Sequence, residues 1–383
     1  MTSNTPGSLP ETMKAWTFSQ SGPPQSTLQL QHIPLPTLST DTSLLIRVSH
    51  VSLHPGTVIM MNLIPSIFRN PSTIAETDFS GVVVSTGKKV PVSRAPNSNR
   101  SFPPGTAVFG SIPVPQHLLG SGALAEYVVV DMASVARKPE SFTFAEAAGL
   151  AVSGSTALDL LDAARLQPEG KVLLNAPCGG IGHFVTQIVA DEGAHYIVGV
   201  CSGTSADLAR DLGCDEVTDY HVLDDGTCLG DSLASRFSGD NAFDAIIDAH
   251  GSQHLWHSAP KFLKPGRGHA YTTVGPALGS YTYRAMGDVL KDMVLNKCLP
   301  KWMGGVDREY RQVASIVTTE KLERLANLGE AVGMIAYVGG EWAFEDVLQA
   351  YEVLISKHAK GKLAIRVWEP SFAELNALAG RSS

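Results

Sequence analysis

Cysteine is missing from the first 177 residues, and the five that follow (Cys178, Cys201, Cys214, Cys228 and Cys298) contain no CxxC pair. An odd, late and scattered set of thiols in a long chain excludes a disulfide framework and fits a reducing compartment, so the expected location is the cytoplasm. Charge is scarce as well, at 17% Asp, Glu, Lys and Arg against about 25% in ordinary globular chains. With 29 Lys and Arg set against 37 Asp and Glu, the net charge is −8. That leaves no basic footprint for a polyanion, and nucleic acid is excluded as a partner. No apolar run reaches the roughly 18 residues that a membrane-spanning helix needs, and the opening MTSNTPGSLPETMK has neither a basic nor an apolar leader segment. A soluble protein is expected. What remains is a chain of 383 residues, 44% of them hydrophobic, enough for two domains with substantial cores.

The punctuation of the chain divides it. A Ser-, Thr- and Pro-rich tail over residues 1–12 precedes short β-like runs (MKAWTF, LQLQHIPL, LLIRVSHVSL, DFSGVVVSTG, TAVFGSI, ALAEYVVVD) broken by Gly and Pro every ten or so residues. These predict a β-rich domain, with the Pro-rich stretch 88–105 as an exposed loop. After Phe142 the period changes, and strands such as KVLLNA, HYIVGV and FDAIIDA alternate with helical segments. That alternation predicts a doubly wound parallel sheet and an α/β fold class. The final helix and strand (WAFEDVLQAYEVLISKHAKGKLAIRV) are expected to return to the first domain. The expected division is residues 13–148 with 335–383 for the β-rich domain and 149–334 for the parallel sheet.

One stretch carries chemistry. In LLNAPCGGIGHFVTQIV an apolar strand runs into Cys178, Gly179, Gly180, Ile181 and Gly182, and then into a helix whose Ile181, Phe184, Val185, Ile188 and Val189 share one face. Ala176, Gly179 and Gly182 are small where a pyrophosphate needs close backbone approach and a helix N-terminus. Dinucleotide binding is the reading. The acid that clamps the ribose 2′-OH of NAD is absent from the segment after YIVGV until Asp207. Ser202, Thr204 and Tyr220 are placed to donate to a 2′-phosphate instead, so NADPH is the expected cofactor.

The ordered series ALAEYVVVD, FAEAAGLAVSGSTAL, KVLLNAPCGGIGHFVTQIV, LGCDEVTDY, FDAIIDAHG, GRGHAYTTVG and HAKGKLAIRV resembles the medium-chain dehydrogenase/reductase superfamily over residues 13–367. The likeness is greatest to its zinc-free quinone oxidoreductase and enoyl reductase branch, which includes stand-alone enoyl reductases acting beside fungal polyketide synthases. The resemblance implies a GroES-like catalytic domain and a Rossmann domain, with NADPH and substrate between them. It implies cofactor contacts for Thr156, for Val274 and Gly275, and for Lys362, and His250 is the better candidate for a cofactor contact than for a metal site with His254 and His257. Zinc members carry Cys, His and Glu where this chain has His54, Thr77 and Asp78, so no metal is expected and alcohol oxidation on zinc is disfavoured. The zinc-free motif Asn-Pro-x-Asp reads His54, Pro55, Gly56, Thr57 here. His54 is thus the candidate catalytic residue, as a hydrogen-bond donor or a general acid, or else a structural histidine. Residues 60–69 (MMNLIPSIFR) are a flap, ordinary core or an oligomer contact. The expected activity is NADPH-dependent reduction of an activated C=C bond in a small or carrier-bound enoyl thioester or enone, or of a quinone, with a polyketide synthase as a possible partner in secondary metabolism. A rival stays open, a non-redox cyclase, isomerase or synthase partner on the same fold.

Overall fold

Two units make up the chain, Met1–Val152 with Val317–Ser383, and Ser153–Ile316. The computed structural model describes residues 9–70, 72–93, 100–193, 196–221 and 228–379. Most of the N-terminal tail and the middle of the expected loop at 88–105 lie outside them.

Short apolar runs give the first unit its strands: β1 (Thr12–Phe18), β2 (Gln29–Pro34), β3 (Ser43–Ser52), β4 (Thr73–Ile74), β5 (Asp78–Thr86), β6 (Ala107–Ser111), β7 (Tyr127–Asp131) and β8 (Val135–Arg137). The second unit contributes β9 (Lys171–Asn175), β10 (Tyr196–Cys201), β11 (Glu216–Asp219), β12 (Ala245–Asp248), β13 (Ala270–Thr273) and β14 (Glu309–Gln312), and the chain closes with β15 (Val338–Ala343) and β16 (Lys362–Arg366). In the first unit β2-β1-β4 form a small sheet, and a larger one runs β15-β16-β3-β5-β6-β8, with β7 also on β3. The returning strand β16 lies antiparallel to β3, Ala364 opposite Ser52, while β5 flanks β3 on the other side with Asp78 opposite the same Ser52. Three strands far apart in sequence therefore meet at one end of β3.

The second unit is a six-stranded sheet in the order β11-β10-β9-β12-β13-β14, parallel throughout. Counted from β9 this is the 3-2-1-4-5-6 order of the Rossmann fold. Its core gathers Phe243, Trp256, Phe262 and Tyr271 on one side of the sheet.

The domain boundary differs from the sequence reading at one place. The helix Thr319–Ala331 belongs to the first unit, not to the second. It packs on β8, Thr319 Oγ1 donates to the Ala133 carbonyl at 2.8 Å, and Gly329 lies under the Phe142 ring, where a Cβ would stand 2.8 Å from the ring carbons. Its amphipathic period is that of a crossover helix, and the glycine opposite Phe142 is what fits it to the first unit.

His50 on β3 links this fold to pH. Burial, and then the nearby Arg366, hold its imidazole down to about 4, with Glu369 opposing. The folded state therefore refuses a proton that the unfolded chain accepts below about pH 6.5. Stability contributed here is complete above that pH and falls as pH drops toward 4, by about 3 kcal/mol. Thermal midpoints from pH 7 to 4 should fall less steeply for His50→Gln than for the wild type; parallel curves would refute the assignment.

Candidate functional site

The end of β3 delivers His54. Proline at the first helical position fixes the helix Pro55–Leu63 and drives the preceding residue into extended geometry, φ −132 and ψ 138. His54 is that helix's N-cap, yet its side chain makes no cap hydrogen bond. The imidazole instead reaches Asp78 at the start of β5, Nε2 to Oδ2 at 2.8 Å. Asp78 Oδ2 also accepts from the Val152 amide at 2.9 Å. Lys362, opening β16, brings Nζ to 3.5 Å from His54 Nε2 and from the Leu53 carbonyl. A second carboxyl completes the group. Glu76 accepts from the His54 amide at 3.1 Å, from Thr57 Oγ1 at 2.9 Å and from the Tyr351 hydroxyl at 2.5 Å. All six residues are buried.

Burial sets the charges. It raises a carboxyl's pKa, but His54, Lys362 and the Val152 amide outweigh it at Asp78, which is held below the usual range. Burial and Lys362 lower His54, against the pull of Asp78. Burial lifts Glu76 to about 8 despite the hydroxyls of Tyr351 and Thr57. It lowers Lys362 to about 8 although Asp78 and Glu76 oppose. At neutral pH the cluster holds one carboxylate, one ammonium, a neutral imidazole and a neutral carboxyl. Since Asp78 is ionised, Nε2 of His54 carries the proton and donates it, which leaves Nδ1 as an acceptor. A lowered pKa and an N–H directed at Asp78 weigh against the general-acid alternative for His54 near pH 7.

The same geometry tests for zinc. The donor set lacks a thiolate, Nε2 is spent on Asp78, and an ammonium stands 3.5 Å from that nitrogen. A divalent ion does not fit beside a fixed positive charge. Among the described residues no group of three His, Cys, Asp or Glu is arranged for a metal. The helix Gln253–Ser258 begins after His250, with Ser252 as its cap, so His250, His254 and His257 do not share a helix face.

In the second unit the glycine loop closes between β9 and the helix Gly182–Asp191. Ala176 takes a left-handed backbone, φ 61. A Cβ on Gly182 would stand 1.9 Å from the Ala176 carbonyl oxygen, whereas one on Gly179 would keep 3.4 Å. The Gly182 approach lets the helix start pack tightly against the end of β9, the packing that the third small residue of a dinucleotide-binding loop provides. Cys178 is buried and donates to the Ser205 carbonyl at 3.4 Å, which ties the loop to the segment after β10. There Ser202 Oγ meets Thr204 Oγ1 at 3.0 Å, and Tyr220 is exposed against the His221 ring.

Asp219 adds a group that reading along the chain missed. It ends β11 opposite Cys201, and its Oδ2 lies 2.4 Å from where a Gly203 Cβ would be. An acid thus reaches the ribose end of β10 from the neighbouring strand, a proximity that only strand register creates. Asp248, ending β12, was missed for the same reason. It accepts from Asn175 Nδ2 at 2.7 Å, from the Tyr271 hydroxyl, and from the amides of His250, Gly251 and Ser252. Those bonds fold the His250 loop back onto Val274 and Gly275, where the Ala277 amide donates to the Gly251 carbonyl at 2.9 Å. Thr156 is buried on the helix Ala151–Ala164. Of the expected residues, then, His54 and Lys362 come together in the first unit. The glycine loop, Ser202, Thr204, Tyr220, His250, Val274 and Gly275 stand at the carboxyl ends of the second unit's strands, where open α/β sheets bind ligands.

Comparisons agree with this architecture. The family model described as zinc-binding dehydrogenase matches residues 212–365. The medium chain reductase pydE of Acremonium sp is 32% identical, over 94% of this chain and all of that one. The trans-enoyl reductase poxH of Penicillium oxalicum is 28% identical, over 94% of this chain and 98% of its own. Among solved structures, the quinone oxidoreductase from Coxiella burnetii superposes with a TM-score of 0.70 at 24% identity, covering 93% of this chain and all of that one. No helix among the described residues is long and apolar enough to cross a membrane. The close turn at Gly182, the 3-2-1-4-5-6 parallel sheet and a full-length relative at 32% identity together make this chain a member of the medium-chain dehydrogenase/reductase superfamily, a nicotinamide-dependent oxidoreductase.

Proposed function

We propose that this chain is an NADPH-dependent reductase of an activated C=C bond, in an enoyl thioester or enone, small or carrier-bound, or of a quinone. The observation that carries the reading is the buried His54–Asp78–Lys362 group, which sets an ammonium and an imidazole at the positions to which the resemblance assigns the ligands of zinc members. Held at the glycine loop of residues 178–182, a nicotinamide cofactor would supply the hydride for the electron-poor carbon. The chain's own residues bind and orient. Asp78 fixes the ring of His54, so Nδ1 is held ready to accept an N–H or O–H from cofactor, substrate or water. The positive charge of Lys362 is preorganised by burial rather than recruited during the reaction. With its pKa lowered, the imidazole is not the source of the proton that completes the reduction.

Cofactor choice is a contest between groups near Gly203. The hydroxyls of Ser202, Thr204 and Tyr220 favour a 2′-phosphate and the carboxylate of Asp219 opposes it, so the preference for NADPH over NADH is modest. A polyketide synthase or similar carrier is the partner that an enoyl thioester substrate implies.

The test follows absorbance of NADPH and of NADH with a short enoyl thioester, a simple enone and a quinone. Oxidation with at least one acceptor, faster with NADPH, supports the reading. Tight cofactor binding without oxidation by any of the three would overturn it.

A further inference from the structure

Glu76 is out of place by local rules. Its backbone is left-handed, φ 59, a conformation that costs a residue with a Cβ about 1–2 kcal/mol. Its side chain is long, polar and fully buried. Neither feature is explained by its strand, since Glu76 precedes β5. Both are explained by what the carboxyl holds. Oε2 accepts from the His54 amide and from Thr57 Oγ1, so one oxygen grips the N-cap and the third residue of the helix Pro55–Leu63. In an ordinary helix start the N-cap side chain does the capping. Here a carboxyl from another segment takes the part that the N3 side chain plays in a capping box, accepting from the N-cap amide and from Thr57 Oγ1, while the imidazole turns toward Asp78. The other oxygen, Oε1, is anchored by Tyr351 on the helix Val347–Ser356, which joins the turn to the C-terminal part of the unit.

We infer that Glu76 is a positioning residue for the reduction site, an external clamp on the His54 amide and Thr57 that fixes where the His54 imidazole stands. The inference rests on the proposed reductase reading for its kinetic consequence but not for its structural one. Positioning of this kind is worth a large factor, because misplacement by about 1 Å costs on the order of 100-fold in rate. The carboxyl stays protonated to about pH 8, so glutamine is its neutral equivalent. Glycine suits the left-handed backbone and removes the grip.

The experiment compares Glu76→Gly, Glu76→Gln and Thr57→Val with the wild type, reading kcat, the Kd for NADPH by fluorescence, and the imidazole nitrogen signals of His54 by NMR, assigned through their loss in His54→Asn. Glu76→Gly should lower kcat by roughly 30- to 100-fold with the Kd unchanged and the His54 signals moved. Glu76→Gln should recover most of both, and Thr57→Val should fall between. Wild-type His54 signals and kcat in Glu76→Gly would overturn the inference, as would equal losses in the Gly and Gln variants. If Glu76→Gly does not fold, the order of Gln and Val decides. Should the wild type reduce none of the three acceptors, the reductase reading fails, and the His54 signals alone still settle whether Glu76 places the ring.

Discussion

Replacing Gly182 with alanine should weaken NADPH binding by roughly 100-fold, whereas the same change at Gly179 should cost less than about threefold. The two glycines stand in one loop and look alike in sequence. They differ in space: a Cβ on Gly182 would press to 1.9 Å from the Ala176 oxygen, and one on Gly179 finds ordinary contact at 3.4 Å. The loop has little room to yield, because Ala176 already sits at φ 61 and the Thr186 hydroxyl binds the carbonyls of Pro177 and Gly182. Overpacking of such a site costs about 1–3 kcal/mol. Fluorescence titration with NADPH, together with the rise in thermal midpoint on adding cofactor, checks both variants. Equal affinities for the two would remove Gly182 as the contact that shapes the loop.

The second large effect is expected at Lys362. Lys362→Met removes the buried ammonium that helps to balance the Asp78 carboxylate and should destabilise the protein by about 3–5 kcal/mol at pH 7, where Lys362 is still mostly charged. The loss should be smaller in mild acid. Lys362 is one of the two forces that hold His54 neutral, so its removal raises the imidazole's pKa and lets His54 supply the missing positive charge. A group whose folded pKa is raised gives stability at low pH and loses it as pH rises through that value. The thermal midpoint of Lys362→Met should therefore lie closer to wild type at pH 5.5 than at pH 7. The pair Lys362→Met, Asp78→Asn should regain part of the loss, because no charge is then left unpaired. A constant gap at both pH values would show that His54 does not take over.

Much of this was legible in the residues. Period and punctuation gave both fold types, and the glycine loop lay in one continuous stretch where strand, turn and helix follow in order. His54 and Lys362 were marked by likeness rather than by pattern, and nothing in the chain said that they touch. What stayed hidden shares one cause. Glu76 meets Tyr351 across 275 residues, Asp219 meets Gly203 through strand register, and Asp248 works on a loop through amides that carry no side-chain signature. β14 was overlooked because EYRQ is too short and too polar to read as a strand, although β13 pairs with all four of its residues. Helix Thr319–Ala331 was assigned to the wrong unit because amphipathic period reports that a face is buried but not against what.

The return of β16 to β3 orders events during synthesis. The second unit is one uninterrupted stretch, Ser153–Ile316, and its contacts are complete once that stretch has left the ribosome. The first unit waits. Its His54 turn emerges early but receives Tyr351 and Lys362 only after the whole second unit has been made, so until then the nascent chain carries Asp78 and Glu76 without the cation and the hydroxyl that balance them. Domains generally fold as units in order of emergence, and long-range strand pairing is slow. The middle of the chain can therefore complete its contacts before the first unit, whose site needs residues made after Ile316.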